Sequence, residues 1–389
     1  MTTFEPSPAV LRVAATSKRP AMGSAPENAV SLAMGEPDFD TPTAVIGAAS
    51  AALEAGETHY ADQNGLPSLR HALADKLSRD GLEYNQDQIL VSHGATAGLA
   101  SAILATVGPG DRVVIPEPCY SLYADLVELA GGTTVFVGLS PDMHWDLPAL
   151  RDALVGAKLM VFSNPCNPTG IVHTREELLA LGTMIEGTDT LVIADEAYDA
   201  IVYRPTVFTS ALDVESLRER TIYAQTFSKT YAMTGWRVGY IAGPADVIAA
   251  ASRVHRTFNG SVNTAVQLAA HTALETGHEV IDGMVASYRE RRDLLLELLA
   301  GIPHLSPYPV DGTFYSFVRY DLDVPSEQVT AELRGQGLLV RAGSEYGPSG
   351  EGHFRLSFAA DADSIARAAT VLRSYFSSVP ANEASLVRT

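Results

Sequence analysis

At 389 residues the chain has room for one large domain and a smaller companion, and 46% hydrophobic residues supply an ample core. A formal net charge of −19, from 46 acidic against 27 basic residues, excludes a nucleic-acid surface, which needs clustered Lys and Arg, and is read as a source of solubility. The two cysteines, Cys119 and Cys166, offer neither a disulfide framework nor a metal-ligand cluster. No apolar run approaches the roughly 20 residues of a membrane span, and the N-terminus lacks an apolar signal core. No metal, no nucleic acid and no membrane are therefore expected as partners, and the cytoplasm is the expected location.

Residues 1–30, with Pro6, Pro8, Pro20 and Pro26, are expected to be irregular and to wrap over the body. Helices are predicted over Ala44–Ala55 and Leu66–Ser78, the second with Leu66, Leu69, Leu73 and Leu77 on one face. Short apolar runs then alternate with amphipathic stretches: Ile89–Ser92, Arg112–Ile115, Thr133–Val137, Lys158–Phe162, Thr190–Ala194, Thr221–Ala224 and Val238–Ala242. This alternation defines an α/β protein with a largely parallel sheet covered by helices on both faces.

Pro244–Thr276 and Val280–Ala300 read as long helices, with Arg289, Arg291 and Arg292 of the second on a solvated face. A strand over Phe314–Arg319, a helix over Ser326–Gln336, strands over Leu338–Arg341 and His353–Phe358, and a final helix over Asp363–Phe376 complete a two-layer α+β pattern. The domains are accordingly expected to be a large one over residues 44–280 and a smaller one over 281–389, joined by the N-terminal segment 1–43. Ser378–Thr389 read as a loose tail.

Ligands of an open parallel sheet sit outside the carboxyl ends of its strands. Lys229 follows the apolar run Ile222–Phe227, stands between Ser228 and Thr230, and precedes Arg237 by eight residues. An amine able to form a Schiff base, with hydroxyls and a guanidinium to hold a phosphate, is what pyridoxal phosphate (PLP) requires, together with a carboxylate against its ring nitrogen. Asp195 ends another apolar run and supplies that carboxylate; alone it would read as a helix N-cap.

Tyr198, three residues on, and Asn167, within Asn164-Pro165-Cys166-Asn167-Pro168-Thr169-Gly170, could both hydrogen-bond the phenolate oxygen of the ring. The two X-Pro units of that segment also suit a tight turn in which one bond could be cis. Ser92-His93-Gly94-Ala95-Thr96 opens a helix over Ala97–Thr106, so Gly94 permits close approach and the amides of Ala95 and Thr96 face an anion. Arg355, on the His353–Phe358 strand among apolar neighbours, requires a carboxylate, either internal or brought by a substrate.

With these motifs in place the chain resembles the fold-type I, class I/II aminotransferases, in the subgroup of bacterial aspartate and broad-specificity enzymes. The likeness runs from Gly35-Glu36-Pro37-Asp38-Phe39 to the final helix, with Asn164–Gly170, Asp195-Glu196-Ala197-Tyr198, Ser228-Lys229 and Gly235-Trp236-Arg237-Val238-Gly239-Tyr240 in the family's order and spacing. It implies the type I fold of PLP-dependent transferases. It further implies Lys229 as Schiff-base lysine and proton shuttle, Asp195 on the ring nitrogen, and Asn167 and Tyr198 on the phenolate. Ala95, Thr96, Thr226, Ser228 and Arg237 would hold the phosphate, and Tyr120 would stack on the ring.

Gly35 and Arg355 look like the contacts for a substrate carboxylate. Tyr60 resembles the tyrosine that reaches the phosphate of the neighbouring subunit, so a homodimer belongs to the expectation. Tyr120 stands where Trp or Phe is frequent, and Thr226 where Ser is usual. For a second substrate carboxylate only Lys18 and Arg256 are loose candidates. The implied reaction moves an amino group from an L-amino acid to a 2-oxo acid. Elimination, replacement or cyclisation on the same fold would use the same residues and stays open. A PLP-sensing regulator is not expected, because those proteins carry a basic DNA-binding segment and this chain is acidic.

Overall fold

Alternate residues of each central strand enter different apolar layers, as a sheet covered on both faces requires. In the computed structural model, which describes residues 4–18, 26, 28–78 and 82–378, Leu159 and Val161 join Leu99, Ile103, Leu126 and Ile248 on one face. Met160 and Phe162, their neighbours in the same strand, join Leu150, Leu178 and Leu181 on the other. All five residues of the Leu159–Ser163 strand are buried, and each such aliphatic side chain contributes about 1.5–3 kcal/mol on leaving water.

The sheet has seven strands, in the spatial order Ile89–Ser92, Gly239–Ala242, Thr221–Thr226, Leu191–Asp195, Leu159–Ser163, Arg112–Glu117 and Thr133–Gly138. Gly239–Ala242 runs antiparallel to both its neighbours; the pairs from Thr221–Thr226 to Thr133–Gly138 are parallel. A second sheet of four antiparallel strands, Arg341–Ala342, His353–Ser357, Tyr315–Tyr320 and Leu305–Pro307, is built from the C-terminal third. Its core joins Val318, Phe354 and Leu356 to Leu295 and Leu299 of the helix His278–Leu299, and to Leu372 and Phe376 of the helix Ala362–Ser378. Val30–Ser31 pairs in parallel with Leu338–Leu339 and ties the N-terminal segment to this core. Tyr198 and Ile201, just past a central strand, belong to the same cluster, so the two sheets meet beside the strand ends.

Most elements lie within a few residues of their sequence-based bounds, and the exceptions have local causes. Within residues 1–30, Pro8–Thr16 is a helix rather than irregular chain. Ser7 caps it by accepting from the Val10 amide, and Pro8 occupies a first-turn position where its missing N–H costs nothing. Arg12 fastens that helix to the body through the Glu128 carbonyl at 3.1 Å. Pro20 lies outside the described residues, as does all of the tail except Ser378, which ends the last helix.

Pro244–Thr276 is not one helix but two, Ala245–Phe258 and Thr264–Glu275. Gly260 in a left-handed conformation (φ +72°) breaks it, and Asn263 caps the second half by accepting from Val266 N. Leu338–Arg341 likewise divides, Leu338–Leu339 joining Val30–Ser31 and Arg341–Ala342 joining His353–Ser357. Two of the arginines read as solvated have partners. Arg291 pairs with Asp38 at 2.6 Å. Arg292 bonds Asp293 and the Val310 carbonyl and covers the Tyr203 ring at 4.6 Å. Among the described residues no helix is long and apolar enough to cross a membrane.

Candidate active site

The carboxyl ends of the parallel strands open into a cavity of about 550 Å³, walled on its far side by the second sheet. Lys229 reaches it from the short helix Phe227–Thr230, which begins where Thr226 Oγ1 accepts from the Ser228 amide at 3.1 Å. Its Nζ donates to the Gly35 carbonyl at 2.5 Å and lies 5.8 Å from the Tyr198 ring centroid. Burial, and then the charge of Arg355, push the amine down to about 8, so a sizeable neutral fraction exists near neutral pH. Gly35 also lines the cavity, and a Cβ there, 1.9 Å from the Tyr315 hydroxyl, would force that buried ring to shift.

Asp195 ends its strand with the carboxylate buried against the cavity. Oδ2 accepts from the Tyr123 hydroxyl at 2.7 Å, and Oδ1 accepts from the Ala197 amide at 3.2 Å, so the turn-capping role coexists with any other. Burial pushes this carboxyl up to about 6, with the Tyr123 hydrogen bond opposing. A buried carboxylate held by neutral donors gains from a cationic N–H.

On the opposite wall, Arg355 donates Nη1 to Asn167 Oδ1 at 2.9 Å and Nη2 to the Ala33 carbonyl at 2.7 Å. Among the described residues no carboxylate bonds it; its Nε is buried and unpartnered, and its guanidinium lies 4.1 Å from the Tyr315 ring centroid. Because the Asn167 carbonyl oxygen serves Arg355, the donor half of that amide is the half available to the cavity. Both Asn164–Pro165 and Asn167–Pro168 are cis. Tyr198 shares a 2.9 Å hydrogen bond with Tyr315, hydroxyl to hydroxyl, and Tyr120 lines the cavity edge-on to Tyr123.

At the near end, Ala95 and Thr96 line the cavity in the first turn of a 13-residue helix that starts at Gly94, earlier than its sequence suggested. Arg237, in a left-handed conformation at φ +55°, donates Nη1 to the Thr234 carbonyl at 2.9 Å. Its other amino group crosses Gly94, where a Cβ would stand 2.7 Å from Nη2. Thr226 and Ser228, 2.9 Å apart through their hydroxyls, complete this end. Helix amides, two hydroxyls and a guanidinium fit a phosphate. With a buried carboxylate and a depressed amine alongside, the residues fit PLP.

Tyr60 does not line the cavity of its own chain and is fully exposed. Neither cation considered for a second substrate carboxylate reaches the cavity. Lys18 pairs with Glu327 at 3.9 Å, and Arg256 is exposed elsewhere. Among the cavity residues that sequence reasoning did not single out are Tyr123, Tyr315, Arg341 and Glu345, the last two joined by an ion pair at 2.7 Å. A charged residue ending the apolar run at Arg341 was the available signal for that pair.

Outside the cavity, His144, His173 and Glu177 converge with candidate ligand atoms within 4.8 Å of one another. Glu177 is the capping-box glutamate of the helix Arg175–Met184. Its carboxylate accepts from the Trp145 and Thr174 amides at 2.9 and 2.7 Å and meets His144 and His173 at 3.0 and 3.3 Å. Four N–H donors on two oxygens make a structural clamp.

An amine, a carboxylate and an anion cradle at the carboxyl end of a doubly covered sheet define a PLP-dependent transferase of fold type I. The model of the family described as aminotransferase class I and II matches residues 27–372, and the chain belongs to that family: it is a PLP-dependent aminotransferase.

Over 314 residues the chain is 38% identical to a Petunia hybrida protein named bifunctional aspartate aminotransferase and glutamate/aspartate-prephenate aminotransferase, covering 79% of this chain and 66% of that protein. It is 32% identical over 360 residues to a probable aspartate aminotransferase of Methanocaldococcus jannaschii, covering 90% of this chain and 94% of that one. The solved aromatic aminotransferase of Pyrococcus horikoshii superposes with a TM-score of 0.88 at 31% identity, over 95% of this chain and 98% of that one.

Proposed function

We propose that Lys229 is the catalytic base of this aminotransferase and that Arg355 receives the substrate carboxylate. The observation that carries this is one cavity holding the Lys229 amine, the Asp195 carboxylate and an Arg355 guanidinium that meets no carboxylate among the described residues. PLP, when bound, supplies the carbonyl that receives the amino group and the ring that takes up the electrons left at Cα. The chain's own residues do the rest. Arg355, steadied by Asn167, orients the amino acid by its carboxylate at the wall that Gly35 also lines. The Lys229 amine, with its lowered proton affinity, takes the Cα proton and returns it on the far side of the reaction; holding it beside Cα is the main source of rate.

Asp195 would hold a proton on the ring nitrogen, which matters most when charge develops there. Tyr198 and the Asn167 amide would donate to the phenolate oxygen, Tyr120 would cover the ring, and Ala95, Thr96, Thr226, Ser228 and Arg237 would hold the phosphate beside Gly94. The exposed Tyr60 supports a homodimer in which it reaches the partner's phosphate. The division into 44–280, 281–389 and the joining segment 1–43, and a cytoplasmic setting, belong to the same reading.

The substrate is an L-amino acid paired with a 2-oxo acid; relatives are named for aspartate, prephenate and aromatic substrates. The test is to mix holoenzyme with single amino acids and no oxo acid. Stoichiometric 2-oxo acid with loss of the cofactor's visible absorbance is the expected result, abolished in Lys229→Ala. Ammonia release with the cofactor unchanged would assign elimination instead.

A further inference from the structure

Arg341 and Arg355 are directly paired across the antiparallel ladder of the second sheet, so both side chains leave the same face. Both line the cavity. Two cations opposite one another repel, and the anion that offsets them is Glu345. It lies at the turn immediately after Arg341–Ala342, with one carboxylate oxygen on the Ala342 amide at 3.2 Å and the other on Arg341 at 2.7 Å. The same carboxylate lies close enough to Arg355 to act on it electrostatically.

Among the described residues Arg355 nonetheless has only neutral acceptors, Asn167 Oδ1 and the Ala33 carbonyl, and its Nε has none. One anion has been offered to two guanidiniums and has gone to the one that does not face Asn167.

We infer that Arg341 is a positioning residue: it detains the Glu345 carboxylate so that Arg355 stays free for the carboxylate of the substrate. The inference rests on the reading of Arg355 given above. Without Arg341, the freed Glu345 oxygen turns to Arg355, and every incoming amino or oxo acid must displace an internal competitor. That penalty falls on binding and leaves the proton transfer at Lys229 largely alone.

The test compares Arg341→Met, Glu345→Gln, the double variant and Arg341→Lys as holoenzymes, measuring KM for the amino donor and the 2-oxo acceptor alongside kcat. In Arg341→Met both KM values should rise about tenfold or more while kcat stays within about threefold, the signature of lost uniform binding. The double variant should recover KM to within about threefold of wild type, because the competitor is gone, and Arg341→Lys should resemble wild type.

An unchanged KM in Arg341→Met overturns the inference. So does a double variant as weak as the single, which would make Arg341 a direct substrate contact. Should Arg341→Met not fold, Glu345→Gln alone still decides: it should leave KM near or below wild type, and a rise of about tenfold overturns the inference. Arg355→Met separates the two readings: if it leaves KM unchanged, the assignment of Arg355 fails; if it raises KM while Arg341→Met does not, only the role of Arg341 fails.

Discussion

The Tyr123 hydroxyl donates to Oδ2 of Asp195 at 2.7 Å, across 72 residues of sequence, with both side chains buried. It is the one side-chain donor to that carboxylate among the described residues, and it favours the ionised form against the burial that leaves the carboxyl raised to about 6. Removing it should make Asp195 easier to protonate without dismantling the site. Tyr123→Phe is expected to lower kcat/KM about tenfold, whereas Asp195→Asn should cost about 10²–10³-fold or more in kcat, on the scale of a lost preorganised charge. Steady-state kinetics of the two variants at pH 7.5 checks the order.

With Lys229 in its proposed role, its depressed amine should set how the protein takes up the cofactor. Only the neutral amine attacks an aldehyde, so recombination of apoenzyme with PLP should accelerate with rising pH and level off above a midpoint near 8, instead of climbing toward the ordinary 10.5 of lysine. Stopped-flow absorbance across pH 6–10 measures it. A rate still rising steeply at pH 10 would contradict the burial of this amine.

Glu196, next to the cavity carboxylate, is itself buried, with Oε1 on the Ala211 amide at 2.8 Å and Oε2 unpartnered. Burial raises its carboxyl to about 8 from 4.5. A raised acid stabilises the fold below its unfolded value and loses that contribution as pH climbs toward the folded one. Glu196→Gln keeps the neutral shape and should flatten the decline of Tm between pH 5 and 8, gaining about 1–3 kcal/mol at pH 8. Thermal melts at the two pH values report it.

The Glu177 clamp has the opposite sign. Glu177 is held well below the ordinary carboxylate value, its hydrogen bonds to His144 and His173 outweighing burial, so its contribution is present above pH 4.5 and fades in acid. His144, half-exposed, is raised above 6.5 by its hydrogen bond to Glu177, so its smaller share is present below 6.5 and fades as pH rises through the folded value. Glu177→Gln should therefore be most damaging near pH 5–6, by about 1–3 kcal/mol, with kcat little changed.

What could be read from the sequence was whatever announces itself locally. Ile89–Ser92 has its predicted bounds; Asp195 declared itself by ending an apolar run, and Lys229 and Asn167 by following one, the place where a parallel sheet exposes side chains to one opening. Tyr123 and Tyr315 did not. Each is an aromatic residue in an apolar element, and what ties it to the cavity residues is a hydroxyl partner 72 or 117 positions away. The Pro8–Thr16 helix was hidden for a different reason: its prolines look like breakers until Ser7 is recognised as the cap. The split after Phe258 turned on one left-handed glycine, Gly260, in otherwise helical sequence.

The residues proposed to hold the cofactor's phosphate and ring nitrogen hang from the seven-stranded sheet, while Arg355 belongs to the four-stranded one. A change that loosens the second sheet, in the packing of Phe354 or Phe376 for example, would therefore leave a protein that is still yellow but idle. Colour would vouch for half of the molecule. Only turnover would vouch for the whole.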